Sequence, residues 1–147
     1  MRYQLELDID RPRERVIELF LDPENLYKWQ TGLVSFEPIG EHEARTVGAQ
    51  SKQLHKMGRR EVEMIETITV PTPPFEYSAT YEADGVWNLV ENRFIDAGEH
   101  KTTWILESEF RCRGFMKIMA FLMPGMFKKQ TFTFMKLFKE FAENRSS

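Results

Sequence analysis

The strongest constraint on the fold is a run of period-two alternation from residue 33 to residue 112, bracketed at both ends by helical spacing. Successive side chains of a strand point to opposite faces, so alternation over so long a run reads as a sheet with one apolar face. The run divides into candidate strands at 33–40, 46–56, 60–70, 75–83, 86–96 and 102–112. Gly40, Gly48, Gly58, Gly85 and Gly98 punctuate it. Connections this short join antiparallel neighbours. Pro71, Pro73 and Pro74 interrupt one junction, where an edge must bend or go unpaired.

Ahead of the run, Tyr3 to Ile9 alternates as a further strand. Asp10 and Pro12 then signal a helix start, with Val16, Ile17, Leu19 and Phe20 as its apolar face. Asp22-Pro23 opens a second short helix that ends near Trp29, because Asp caps a helix and Pro fits its first turn. Behind the run, Phe127, Thr131, Phe134, Phe138 and Phe141 recur every three or four residues, which places them on one helical face. Met135 and Ala142 widen that face, and Lys128, Lys129, Lys136, Lys139 and Glu140 lie mostly opposite. A sheet cannot leave its apolar face open, so it should curl around the one long helix available. At 147 residues the chain has the size of one domain. The expected architecture is therefore a single α+β domain over 1–147. It has a curved antiparallel sheet of about seven strands around a long C-terminal α-helix, with two short helices between strands 1 and 2.

Composition removes several function classes. Twenty Lys and Arg against 23 Asp and Glu give a net charge of −3, which argues against nucleic acid as a partner. Cys112 is the single cysteine, so no intramolecular disulfide or multi-cysteine metal site can form. His42, His55 and His100 are scattered without zinc spacing, and neither a metal nor a cofactor is expected. No glycine-rich phosphate loop and no Gly-x-Ser-x-Gly elbow is present. The first residues are charged and alternating, unlike a signal peptide. No stretch reaches the ~18 apolar residues of a membrane span. A cytoplasmic location is the expectation.

The residues Ile9-Asp10-Arg11-Pro12-Arg13-Glu14-Arg15-Val16, followed by Phe20-Leu21-Asp22-Pro23-Glu24-Asn25-Leu26-Tyr27-Lys28-Trp29, form a strand-to-helix opening with a D-P-x-x-x-x-x-W signature. Val47-Gly48, the Lys101-Thr102-Thr103 turn and Gly114 before the final helix fit the same pattern. Over nearly its whole length the chain resembles the SRPBCC superfamily, the START-like, polyketide cyclase/dehydrase type of helix-grip domain. The resemblance implies a deep apolar cavity between sheet and helix that takes a hydrophobic small molecule such as a lipid, polyketide, quinone or sterol. Some members of that superfamily are cyclases or dehydratases, and others carry or sense a ligand.

Charge placement sets which phase of each strand faces inward. The charge-free phases are Thr102, Trp104, Leu106, Ser108, Phe110, Cys112, then Val86, Asn88, Val90, Asn92, Phe94, and then Phe75, Tyr77, Ala79, Tyr81. In 62–70 the phase is Val62, Met64, Glu66, Ile68, Val70, with Glu66 the odd member, and in 47–55 it is Val47, Ala49, Ser51, Gln53, His55. A tight turn at Gly58-Arg59 pairs Met57 with Arg60, His55 with Val62, Gln53 with Met64 and Ser51 with Glu66. That gathers Ser51, Gln53, His55 and Glu66 on one wall. The candidate polar ligand contacts are Tyr77, Tyr81, Asn88, Asn92 and Ser108. The candidate apolar lining is Trp29, Phe36, Met64, Trp104, Phe110, Met119, Met123, Phe127, Phe134 and Phe138.

Glu66 with His55 reads either as an acid/base pair of a cyclase- or dehydratase-type enzyme or as solvated residues near strand ends. Asn88 and Asn92 read either as ligand contacts or as parts of a structural network. Cys112 reads as a small buried hydrophobe. Seven of the 12 Phe and five of the 8 Met fall between Phe115 and Phe141. The Phe ladder after 127 belongs to the gripped helix. The stretch 115–126 is apolar on nearly every face and cut by Pro124-Gly125. It reads as a separate short helix beside the cavity mouth, with transient membrane-surface contact as one role. A carrier or sensor of a hydrophobic molecule is the first functional expectation, with the enzyme and a membrane-docking lipid-transfer module as alternatives.

Overall fold

The computed structural model describes residues 1–43, 46–70 and 76–145. Its elements are β1 (Arg2–Ile9), α1 (Arg13–Leu21), a short 3-10 turn (Pro23–Asn25) leading into α2 (Leu26–Trp29), β2 (Leu33–Ile39), β3 (Gln50–Met57), β4 (Arg60–Val70), β5 (Tyr77–Ala83), β6 (Val86–Gly98), β7 (Lys101–Cys112), α3 (Phe115–Leu122) and α4 (Met126–Glu143). The seven strands form one antiparallel sheet in the order β1-β7-β6-β5-β4-β3-β2. This is the helix-grip arrangement, with two short helices between β1 and β2 and the long α4 last.

Local chemistry accounts for the boundaries. Asp22 accepts the Glu24 N–H at 3.0 Å and Pro23 opens the turn. Gly58, at φ +65°, makes the two-residue turn between β3 and β4, and the pairing runs Met57–Arg60, His55–Val62, Gln53–Met64 and Ser51–Glu66 as the turn requires. β3 starts later than its alternation implied. Ala49 N–H bonds back to the Thr46 carbonyl at 3.0 Å, and Gly48 takes φ +89°, so a turn occupies 46–49. Pro38 lies in edge strand β2, where a missing N–H is tolerated. The expectations on Pro71, Pro73, Pro74 and Phe75 fall outside the described residues.

Helix α4 is tied along β1 at both ends. Near its start, the Tyr3 hydroxyl meets Thr131 Oγ1 at 2.5 Å and donates to the Phe127 carbonyl at 3.1 Å. Near its end, Arg11 donates to the carbonyls of Glu143 and Arg145. The Glu143 carboxylate accepts the Asp10 N–H at 2.8 Å. Lys139 donates to the Asp8 carbonyl and to Glu143, each at 2.6 Å. The last carbonyls of a helix have no partner inside it, and Arg11 supplies one.

The main core follows from that anchoring. Ile9, Val16, Leu19, Trp29, Phe94, Trp104, Leu106, Met135, Phe138 and Ala142 form one buried cluster drawn from β1, β6, β7, α1, α2 and α4. Phe20 is its hub, with ring centroids 5.1 to 6.0 Å from Phe94, Trp104, Phe138, Trp29 and Tyr77. A second, smaller cluster of Ala49, Ile68 and Ala79, flanked by Tyr77 and Tyr81, sits on the β3–β5 half.

Candidate functional site

Residues two apart on a strand share a face, so β3 presents Ser51, Gln53 and His55 together. Antiparallel pairing sets Ser51 opposite Glu66, Glu66 opposite Tyr81, Tyr81 opposite Asn88, and Asn88 opposite Phe110. One row therefore crosses five strands on the concave face. On β3 to β5 its side chains are connected, together with Gln53 and His55. His55 Nε2 lies 2.9 Å from Gln53 Oε1. Gln53 Nε2 donates to Ser51 Oγ at 3.1 Å, and Ser51 Oγ donates to Glu66 Oε1 at 3.3 Å. The Tyr81 hydroxyl also bonds Glu66. An amide oxygen only accepts, so His55 carries a proton on Nε2, and every donor in the chain points toward the Glu66 carboxylate.

Burial sets the charge states. It lowers the pKa of His55, which favours the neutral imidazole. Burial, the nearby Glu66 charge, Tyr77 and the bond to Glu66 hold the Tyr81 phenol well above its ordinary value, so it stays a donor. Ser51 and Gln53 are buried, whereas Phe36, His55, Met64, Glu66, Tyr77, Tyr81 and Asn88 keep partial exposure although their strand phase faces inward. On the other half of the sheet, Phe94, Trp104 and Leu106 are sealed to within 1%. The concave face is thus closed at Phe94, Trp104 and Leu106 and partly accessible along His55, Met64, Glu66, Tyr81 and Asn88, beside the buried Ser51 and Gln53.

The other inward side chains have partners within the fold. Asn92 accepts the Trp104 indole N–H at 3.0 Å and donates to the Tyr77 carbonyl at 3.2 Å. Asn88 donates to Ser108 Oγ at 2.8 Å and to the Glu109 carbonyl at 3.0 Å. Ser108 in turn bonds the Tyr3 hydroxyl, which links this pair to α4. Trp29, Trp104 and Phe138 are buried in the aromatic core, and Phe134 packs on Trp29 at 4.7 Å. Phe110 stacks on Phe127 at 4.3 Å and on Tyr3 at 6.0 Å, at the border of the two halves. Met119 is half-buried on α3 and Met123 is exposed. Tyr3 was not among the sequence candidates, although it shares the inward phase of Leu5, Leu7 and Ile9.

Burial raises the Cys112 thiol, which makes it a poor nucleophile. Among the described residues no three His, Cys, Asp or Glu side chains are placed to share a metal ion. Two open surface clefts, of about 290 and 260 Å³, lie beside Arg15, Lys28 and Arg145 and beside Trp87 and Arg111 respectively, and the polar row lines neither. Among the described residues no helix is long and apolar enough to cross a membrane.

Comparison with known proteins agrees with this layout. No curated protein matches the sequence significantly. Solved structures of the same fold include the Zhui aromatase/cyclase from Streptomyces sp. R1128, 12% identical, covering 99% of this chain and 94% of that one with a TM-score of 0.82. A conserved protein from Geobacillus kaustophilus is 18% identical over 97% and 95% of the two chains, with a TM-score of 0.81. Norcoclaurine synthase from Thalictrum flavum, solved with dopamine and hydroxybenzaldehyde, is 16% identical over 100% and 89%, with a TM-score of 0.72. At these identities the likeness establishes the fold. The family model described as "polyketide cyclase / dehydrase and lipid transport" matches residues 2–136, and with a gripped α4 and a curved seven-stranded sheet the chain belongs to that family.

Proposed function

We propose that the protein binds a hydrophobic small molecule between the β3–β5 half of the sheet and α4, with the molecule's polar end on the Ser51–Gln53–His55–Glu66–Tyr81 wall. One observation carries this reading: Phe36, His55, Met64, Glu66 and Tyr81 face inward there and keep partial exposure, while Phe94, Trp104 and Leu106 are closed by the aromatic core. Such a site combines apolar walls with a few placed polar groups. Met64, Phe36, Phe110 and Phe127 supply the apolar surface, and burial of the ligand's apolar area drives binding. The fold accommodates small aromatic molecules elsewhere, as the dopamine and hydroxybenzaldehyde held by norcoclaurine synthase illustrate.

Native mass spectrometry of protein isolated from cells is the direct test, followed by titration with 1-anilinonaphthalene-8-sulfonate and a library of hydrophobic compounds. A copurified mass, or saturable binding that Met64→Trp blocks by filling the site, is the expected result. Absence of both a bound mass and any saturable affinity would refute the reading. The contact between Tyr81 and Glu66 favours a second reading, in which Glu66 acts as acid or base in a cyclase- or dehydratase-type reaction. Glu66→Gln would then abolish turnover while binding persists, and unchanged turnover would remove that assignment.

A further inference from the structure

Helix α3 is turned the wrong way for a helix on a water-facing surface. Its half-buried side is Met116, Met119 and Ala120, with Met116 close to Gly85 at the β5–β6 turn. Its outward side is Phe115, Ile118, Phe121 and Leu122, which are 63%, 56%, 84% and 66% exposed. A surface helix ordinarily puts polar residues there. None of the eight α3 residues is buried, so the outward side chains contribute little to the core. A contiguous apolar patch of this kind marks an interaction site.

The charge around the patch says what covers it. From Arg111 to Lys139 the sequence contains seven basic and no acidic residues, which leaves −10 on the rest of the chain. Arg113 just before α3, Lys117 on it, and Lys128 and Lys129 in the first turn of α4, which follows α3 after Pro124-Gly125, are all exposed. Among the described residues none of these four takes part in an ion pair. An α3-to-α3 contact between two copies would set this positive rim against itself, which is unfavourable. Bulky apolar side chains rimmed by unpaired cations match a membrane interface. There the rings reach the boundary of headgroups and acyl chains while the cations meet lipid phosphates. The acidic remainder of the molecule is repelled by the same surface and holds it in one orientation.

We propose that α3, with Arg113, Lys117, Lys128 and Lys129, docks the protein reversibly on an anionic lipid surface. The β3–β4 and β5–β6 turns lie at the same end of the sheet as the start of α4, where Gln130 contacts Met57. Docking therefore presents that end of the concave face to the lipid. The proposal does not depend on a ligand occupying the site.

Cosedimentation with phosphatidylcholine vesicles, with and without one-third phosphatidylglycerol, tests it. The parent protein should bind the anionic vesicles saturably and lose binding as salt rises. Phe121→Glu should lower the partition coefficient at least about tenfold. Lys128→Gln with Lys129→Gln should lower it roughly 30-fold. Circular dichroism and the melting temperature should not change in these variants. Binding equally strong to pure phosphatidylcholine, no binding by the parent, or full binding by Phe121→Glu would each overturn the proposal. So would light scattering that finds a dimer which Phe121→Glu dissociates, because the face would then be covered by a second copy.

Discussion

Replacing Asn92 by Leu tests whether its amide holds the core together. Both partners are deeply placed: Asn92 is 5% exposed and Trp104 is sealed. The substitution keeps the number of heavy atoms and the branch point of the side chain and deletes two bonds, from the Trp104 indole N–H at 3.0 Å and to the Tyr77 carbonyl at 3.2 Å. The indole N–H is then left without an acceptor in a dry site, at about 1–3 kcal/mol, and the lost bond to Tyr77 adds about 1. A total of about 2–4 kcal/mol is a large share of the ~5–15 kcal/mol that stabilises a typical domain. Trp104→Phe removes the donor and leaves a cavity, with its own cost of about 1–3 kcal/mol. Once the donor is gone, however, Asn92→Leu no longer strands it. The double variant should therefore be more stable than the sum of the singles predicts, by about 1–3 kcal/mol. Urea denaturation followed by circular dichroism at 25 °C measures all four corners without relying on indole fluorescence. Costs that add to within ~0.5 kcal/mol would show that the two side chains do not interact. Asn92 would then return to the list of ligand contacts.

Other outcomes follow from the anchoring and the polar wall. His55 should titrate below the ~6.5 of an ordinary histidine, because burial disfavours its charged form. Imidazole NMR checks this, and a value at or above ~6.5 contradicts the packing around Gln53. With a lowered folded pKa the unfolded chain takes up the proton first, so this group's effect is a loss of stability as pH falls below ~6.5. Burial works to raise the Glu143 carboxyl, but the Lys139 and Asp10 bonds and the nearby Lys139 and Arg11 charges outweigh it and lower its pKa. Its contribution is thus fully present above the ~4.3 of an unfolded glutamate and is lost as pH falls through the folded value. Glu143→Gln should be less stable than the parent at neutral pH, with the two urea curves converging in acid. A gap that persists there argues against the clamp. Tyr3→Phe should cost about 1–2 kcal/mol and raise amide exchange in the first turns of α4, and unchanged exchange there would contradict the tie of Tyr3 to Phe127 and Thr131.

Much of this architecture can be read from residue spacing, and the parts that cannot share a physical reason. The β3–β4 register follows from Gly58-Arg59, because a two-residue turn leaves only one pairing that keeps Val62, Met64 and Ile68 on the inner face. The same alternation brings Ser51, Gln53, His55 and Glu66 to one wall. What spacing does not contain is which inward side chains consume each other. Asn88 and Asn92 carry the same inward signal. Only their neighbours across β7 show that one meets Ser108 and the other the Trp104 indole. Phe20 looks like one apolar position among four in α1, yet it touches five other rings. Its role depends on where α1 crosses the sheet, which is set by contacts distant in sequence.

The division of the concave face follows from the same long-range contacts. Tyr3 at one end of β1 and Asp8, Asp10 and Arg11 at the other fasten α4 to an edge strand. A helix so fastened covers β1, β7 and β6, and the rings of Trp29, Phe94, Trp104 and Phe138 close that half. Over β3–β5 the buried apolar residues are only the small cluster of Ala49, Ile68 and Ala79, and beside it stand polar side chains that a dry core would not accept unpartnered. A buried carboxylate or amide without partners costs several kcal/mol, so Ser51, Gln53, His55, Glu66 and Tyr81 are sustained by bonding one another. A wall built this way is costly to hold against apolar packing and useful against a molecule with a polar end. A partly accessible, mutually bonded polar wall beside a closed aromatic core, rather than any single residue, is therefore what supports the proposed binding site.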